Sequence, residues 1–181
     1  FNCFFMSNLD IHKLFDTFQS QSIIVVGDVM LDAYLFGKVE RISPEAPVPV
    51  VAVTHRDNRL GGAANVALNI KSMGATPLLC SVVGNDEKGN AFKDILLENN
   101  MSIDGIVVDD ERITTTKFRI IGNNSQMLRV DEEIVSPICD NTANKLFEKI
   151  KNLIDNNNIS CLILQDYDKG VFTPDLIHKI I

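Results

Sequence analysis

Apolar residues fall at helical spacing in residues 9–19, where Leu9, Leu14, Phe15 and Phe18 share one side, and this predicts a short amphipathic helix. The run SIIVVGD (22–28) then sets β-branched residues side by side up to Gly27, the pattern of a strand buried on both faces. Residues 33–41 and 48–53 predict two extended segments around a proline-rich turn, SPEAP. Gly61 and Gly62 open a helix that runs through Met73 and stops at Gly74. TPLLCSVV (76–83) predicts a second buried strand ending at Gly84. Residues 87–99 predict a helix with Phe92, Ile95 and Leu96 on one face, and 106–108 a third short strand.

The apolar period then drops to two. ITTTKFRII and QMLRV flank GNNS and predict a β-hairpin. Helical spacing returns in 140–155, with Leu146, Ile150, Leu153 and Ile154 apolar. ISCLILQD predicts a fourth strand, and Thr173 caps a final helix that begins at Pro174. Strands alternating with helices predict a doubly wound α/β layer with a mainly parallel sheet and helices on both faces. The segments 33–53 and 113–131 stand outside that alternation and are expected together as a small antiparallel sheet, a lid on the main layer. The last helix reaches Ile181 without a cap or polar tail. The expected organisation is an N-terminal extension over 1–21 and, over 22–181, the N-terminal part of a domain whose C-terminal part is missing.

Composition narrows the function. A chain of 181 residues, 45% hydrophobic and 23% charged, suits one folded domain with a sizeable core. A formal net charge of -7 argues against nucleic acid or an acidic membrane as partner, so an anionic ligand would need a local basic cluster. Cys3, Cys80, Cys139 and Cys161 show neither a CxxC pair nor zinc spacing. Cys80 and Cys161 lie in apolar runs and are expected as buried thiols of a reducing cytosol. The longest apolar runs are too short to span a bilayer, and FNCFF lacks the basic start of a secretion signal. Met6 is the expected initiator and the cytoplasm the expected location. His12, His55 and His178 have no ligand spacing and are expected at the surface.

Four stretches carry candidate chemistry. GDVMLD puts Asp28 and Asp32 just past the first strand, at the edge of an α/β sheet where ligands gather. Carboxylates accept hydrogen bonds from sugar hydroxyls, and they also serve as turn or cap residues. GGAANVA (61–67) combines two glycines, which permit close backbone approach, with a helix N-terminus and Asn65 in its first turn. It is neither GxGxxG nor a P-loop, so no dinucleotide or Walker-type site follows. QDYDKG places Asp166 and Lys169 after the fourth strand, again at the ligand edge or simply in a turn.

The hairpin is the most specific of the four. A three-residue loop of Asn123, Asn124 and Ser125 pairs Phe118 with Val130 and Ile120 with Leu128, the register that sets apolar against apolar. The same register pairs Lys117 with Asp131 and Arg119 with Arg129. Two arginines directly across a strand pair repel each other. Either an anion lies between them, and guanidinium forks suit a substrate phosphate, or both side chains splay into water.

Taken in order, GDVMLDAYLFGKVERISPEAPVPV, GGAANVALNI, VGND with Gly89, TTTKFRI, QMLRVD and DYDKG resemble the ribokinase-like (PfkB) carbohydrate kinases over residues 22–175, most closely the heptose 7-phosphate kinase branch. The resemblance implies a ribokinase-like fold in which the lid closes over a sugar and pairs with a second copy in a homodimer. It implies that Asp32 and Asn65, with the backbone of Gly61 and Gly62 and help from Asp28, bind sugar hydroxyls. It implies phosphoryl transfer from ATP with Mg²⁺ to the anomeric hydroxyl of a heptose 7-phosphate. The expected substrate-binding set is Asp28, Asp32, Gly61, Gly62, Asn65, Lys117, Arg119, Arg129, Asp166 and Lys169. The family's GxGD stretch with its catalytic aspartate and its NxxE motif for magnesium have no match here. No catalytic or metal residue is therefore expected in this chain, which by itself is expected to be inactive.

Overall fold

The structure is a computed structural model and describes residues 11–181. In chain order the elements are α1 (Ile11–Phe18), β1 (Ser22–Gly27), β2 (Val29–Ile42), β3 (Pro49–Gly62), α2 (Ala63–Ser72), β4 (Thr76–Gly84), α3 (Glu87–Glu98), β5 (Ile106–Asp109), β6 (Thr116–Gly122), β7 (Ser125–Glu132), α4 (Asp140–Asn156), β8 (Ile159–Gln165) and α5 (Pro174–Ile180). Of the predicted first helix, Leu9 lies outside the described residues, as do Cys3 and Met6.

Two sheets of four strands divide the described residues. The first has the order β5, β4, β1, β8, every pair parallel. Its strands are apolar on both faces because both are covered. Val25 and Leu79 face one way, against Ala63, Ala67, Phe92 and Leu96 of α2 and α3. Ile24, Val26 and Cys80 face the other way, against Leu146 and Ile150 of α4 and Leu176 of α5. Successive strand residues point to opposite sides, so one uninterrupted apolar run feeds both clusters. Fully burying a side chain such as Phe92 contributes about 2 kcal/mol. Cys80 is buried, and burial pushes its thiol up to about 12. Cys161, expected as buried, is exposed, because β8 is an edge strand. Ile154 is also exposed, at 45%.

The second sheet has the order β3, β2, β6, β7. β2 and β3 are antiparallel strands of 14 residues each, longer than the two predicted segments. β6 pairs antiparallel with β7 but parallel with β2, so the sheet is mixed rather than wholly antiparallel as expected. The reason is topological. β2 follows β1 and β6 follows β5, so both leave the same edge of the first sheet and run the same way. The hairpin keeps the predicted pairs by a different turn. Gly122 pairs with Ser125 across Asn123 and Asn124, whose φ angles of 50° and 64° suit a two-residue type I′ turn, and a register shift beside Ile120 absorbs Met127.

Polar clasps join the two sheets. Asp86 caps α3, its carboxylate accepting from Gly89 N at 2.6 Å and from Thr114 N and Oγ1 at 2.7 and 2.8 Å. Burial alone would raise the Asp86 carboxyl; the Thr114 and Gly89 donors outweigh it and hold the group below the usual range. Among the described residues no helix is long and apolar enough to cross a membrane.

Candidate functional site

The strand register sorts the second sheet into two faces. Asp32 lies opposite Arg59 and Lys117; Tyr34 lies opposite Asp57 and Arg119; Arg119 and Lys117 in turn lie opposite Arg129 and Asp131. Directly paired residues share a face. Four cations and three carboxylates therefore stand together on one side, around Tyr34. The other side carries Leu31, Ala33, Leu35, Phe118, Ile120, Leu128 and Val130, with Asn58 and Arg56 of β3 opposite Ala33 and Leu35, and a cleft of about 280 Å³ between it and α3.

Asp32 is the centre of the polar face. One of its oxygens lies 2.5 Å from Arg119 Nη1. The other lies beside Gly61, where an added Cβ would sit 2.8 Å from it, so glycine is what allows the backbone so close. Gly62 follows with φ 61°, a left-handed turn in which a Cβ would meet the Asp28 carbonyl at 2.4 Å. That turn starts α2 without a side-chain cap, and Asn65 stands exposed in its first turn. A hydroxyl acceptor and a close backbone thus converge beside the start of α2, whose first N–H donates to the Asp28 carbonyl at 2.9 Å.

The cations are not bare. Lys117 Nζ donates to Asp131 at 2.8 Å and lies 3.6 Å from Glu133, whose other oxygen is 3.1 Å from Lys169 Nζ. The hydrogen bond from Lys117, joined by Arg129, holds the Asp131 carboxyl below its usual range. Arg129 Nε donates to Asp131 at 2.9 Å, and Arg119 is matched by Asp32. The cross-strand repulsion read from the hairpin is therefore relieved by the chain's own carboxylates and does not by itself require an outside anion.

The structure brings Asp32, Gly61, Lys117, Arg119 and Arg129 to one face, with Gly62 and Asn65 adjoining. Lys169 joins them through Glu133. Asp28 and Asp166 do otherwise. Asp28 is 1% exposed, and its carboxylate accepts from the N–H groups of Tyr167 (2.8 Å), Lys169 (3.2 Å) and Val171 (3.1 Å). Burial raises the Asp28 carboxyl against the pull of those donors. Its carboxylate holds the DYDKG loop. Asp166 is exposed and accepts from Asp168 N within its own turn. Among the described residues no group of three or more His, Cys, Asp or Glu forms a metal cluster.

Sequence reasoning missed Arg59, Tyr34, Glu133 and Arg112. The Arg112 guanidinium, lowered by burial, donates to the carbonyls of Ile134, Ser136 and Lys169 and staples the chain after β7 to the DYDKG loop. Period two does place Tyr34 on the Asp32 face; which strands flank it has no local signal.

Residues 20–170 match the family described as pfkB family carbohydrate kinase. The chain is 42% identical over 163 residues to the bifunctional protein HldE of Helicobacter hepaticus and 46% identical over 161 residues to HldE of Helicobacter pylori strain G27. These alignments take in 90% and 89% of the chain, which spans about a third (33% and 34%) of the length of those relatives. Among solved structures, a Staphylococcus aureus protein assigned as a phosphofructokinase superposes with a TM-score of 0.66 at 15% identity, over 88% of this chain and 48% of that one. A carbohydrate kinase from Agrobacterium tumefaciens gives 0.52 at 14% identity, over 70% and 42%.

Proposed function

This chain belongs to the pfkB family of carbohydrate kinases, and from that premise we propose that it forms the sugar-binding part of a kinase acting on a phosphorylated heptose. The observation that carries the reading is Asp32, held between Arg119 and the Gly61 backbone beside the start of α2. Asp32 and Asn65 take sugar hydroxyls, and the Gly61-Gly62 turn lets the sugar lie against the backbone. Arg119, a permanent cation with a planar fork, is suited to a phosphate elsewhere on the same sugar. The identity to HldE proteins favours D-glycero-D-manno-heptose 7-phosphate as substrate and its anomeric hydroxyl as acceptor. ATP and Mg²⁺ enter through the family, as the phosphate donor and the charge that stabilises its transfer. The residues of this chain bind and orient the acceptor sugar.

We assign the homodimer to the apolar side of the second sheet, where Leu128 and Val130 are 55% and 42% exposed. A cytoplasmic location accords with ATP as donor. The test is Arg119→Ala in the full-length protein, assayed with heptose 7-phosphate and with the unphosphorylated heptose. Loss of a charge-assisted pair worth about 2 kcal/mol should raise KM for the phosphosugar more than about tenfold, far more than for the plain sugar, which feels only the loss of the partner of Asp32. An equal rise for both would sink the phosphate assignment.

A further inference from the structure

Resting on the phosphosugar reading, we propose that the second guanidinium on the substrate phosphate is Arg59 rather than Arg129, and that Tyr34 positions Arg59 beside Arg119. Tyr34 is on β2, between β3 and β6. The guanidinium carbon of Arg59 lies 4.7 Å from the Tyr34 ring centroid and that of Arg119 5.3 Å. Aromatic faces attract cations at these distances. The ring is itself held, stacked 5.8 Å from Phe36, which stacks 4.4 Å from His55. Two positive groups from strands that are not neighbours in the sheet are thus gathered at one ring.

Both arginines keep donors in hand. Arg59 spends Nε on Asp57, and Arg119 spends Nη1 on Asp32 and the Lys117 carbonyl. Nη1 and Nη2 of Arg59, with Nε and Nη2 of Arg119, donate to no protein atom among the described residues. A guanidinium carries five N–H groups, so each has a free edge for phosphate oxygens. The hydrogen bond to Asp57 raises the Arg59 guanidinium further, so it carries its charge at any working pH.

Position separates Arg59 from Arg129. Arg59 is directly across from Asp32 on the adjacent strand, about 5 Å away in backbone spacing, and precedes the Gly61-Gly62 turn by two residues. Arg129 is two strands from Asp32, about 10 Å, on the outer strand β7, and its Nε is turned to Asp131. A sugar whose hydroxyl meets Asp32 brings its phosphate to Arg59 and Arg119 before it reaches Arg129.

The experiment uses the full-length kinase with heptose 7-phosphate and unphosphorylated heptose, on Arg59→Gln, Arg59→Lys, Arg129→Gln and Tyr34→Leu. Arg59→Gln should raise KM for the phosphosugar at least about tenfold while kcat/KM for the plain sugar stays within about twofold. Arg59→Lys should restore part of the loss, because charge returns without the fork. Tyr34→Leu should move the same KM in the same direction, and Arg129→Gln should move it less than about threefold. A larger effect from Arg129→Gln than from Arg59→Gln overturns the assignment, as does an Arg59→Gln effect equal on both sugars. A wild-type enzyme indifferent to the phosphate would instead overturn the phosphosugar reading beneath it. Arg59 is an exposed side chain, so its variants are expected to keep the wild-type melting temperature.

Discussion

The two sheets of this chain have four strands each, yet they are built for different surroundings. The first is sealed between helices: Ile24, Val25 and Val26, three successive residues, are each 0% exposed. In the second, Leu128 and Val130 stand open on one side while Arg59, Lys117, Arg119 and Arg129 crowd the other. The first sheet is stabilised by area removed from water, which is non-directional and tolerant of detail. The second is organised by ion pairs, cation–π contacts and a specified turn, which act through direction. Where burial dominates, the residues say little about ligand; where geometry dominates, they say a good deal.

Substitutions at three positions sharpen that contrast. Phe92→Ala empties the middle of the first core and should cost about 4 kcal/mol of unfolding free energy, read from the urea midpoint of the full-length protein. A loss of under about 1 kcal/mol would mean that the first sheet is not the stabilising centre.

Asp86→Asn acts at the clasp between the sheets and should cost about 1 to 2 kcal/mol at neutral pH. The sign with pH follows from the depressed carboxyl. A group whose folded pKa lies below its unfolded value stabilises fully above the ordinary carboxylate range. That contribution disappears as pH falls through the folded pKa. Stability measured from neutral to acid pH should show the variant and wild type converging, and a constant gap would remove Asp86 as the titrating clasp.

Leu128→Ala is the smallest effect on folding. An exposed side chain on an outer strand should change the stability of the isolated protomer by less than about 0.5 kcal/mol. Its effect belongs to assembly. If the apolar side is the dimer face, Leu128→Lys should shift sedimentation toward the monomer, and an unchanged sedimentation coefficient would move the interface elsewhere.

Much of the first sheet was legible because its signals are local. Uninterrupted β-branched runs mark strands covered on both faces, and the cap at Thr173 sits within three residues of the N–H group it satisfies. The hairpin register was equally legible, since setting Phe118 and Ile120 against Val130 and Leu128 leaves one alignment. Cys161 was misread because nothing in an apolar run tells an edge strand from a central one.

What sequence alone determined, then, was the type and order of the elements, the hairpin pairing, and the family likeness carried by GDVMLD, GGAANVA and DYDKG. Only the tertiary structure decided how the charges meet. Arg119 finds Asp32 across 87 residues of chain, and Asp28 closes on Tyr167 across 139. Two aspartates four positions apart in one motif were thereby given opposite tasks, one buried to hold a loop and one paired with Arg119 on the charged face of the second sheet. Periodicity reports which way a side chain points. Its partner is set by which strands come to lie side by side, a long-range outcome of packing.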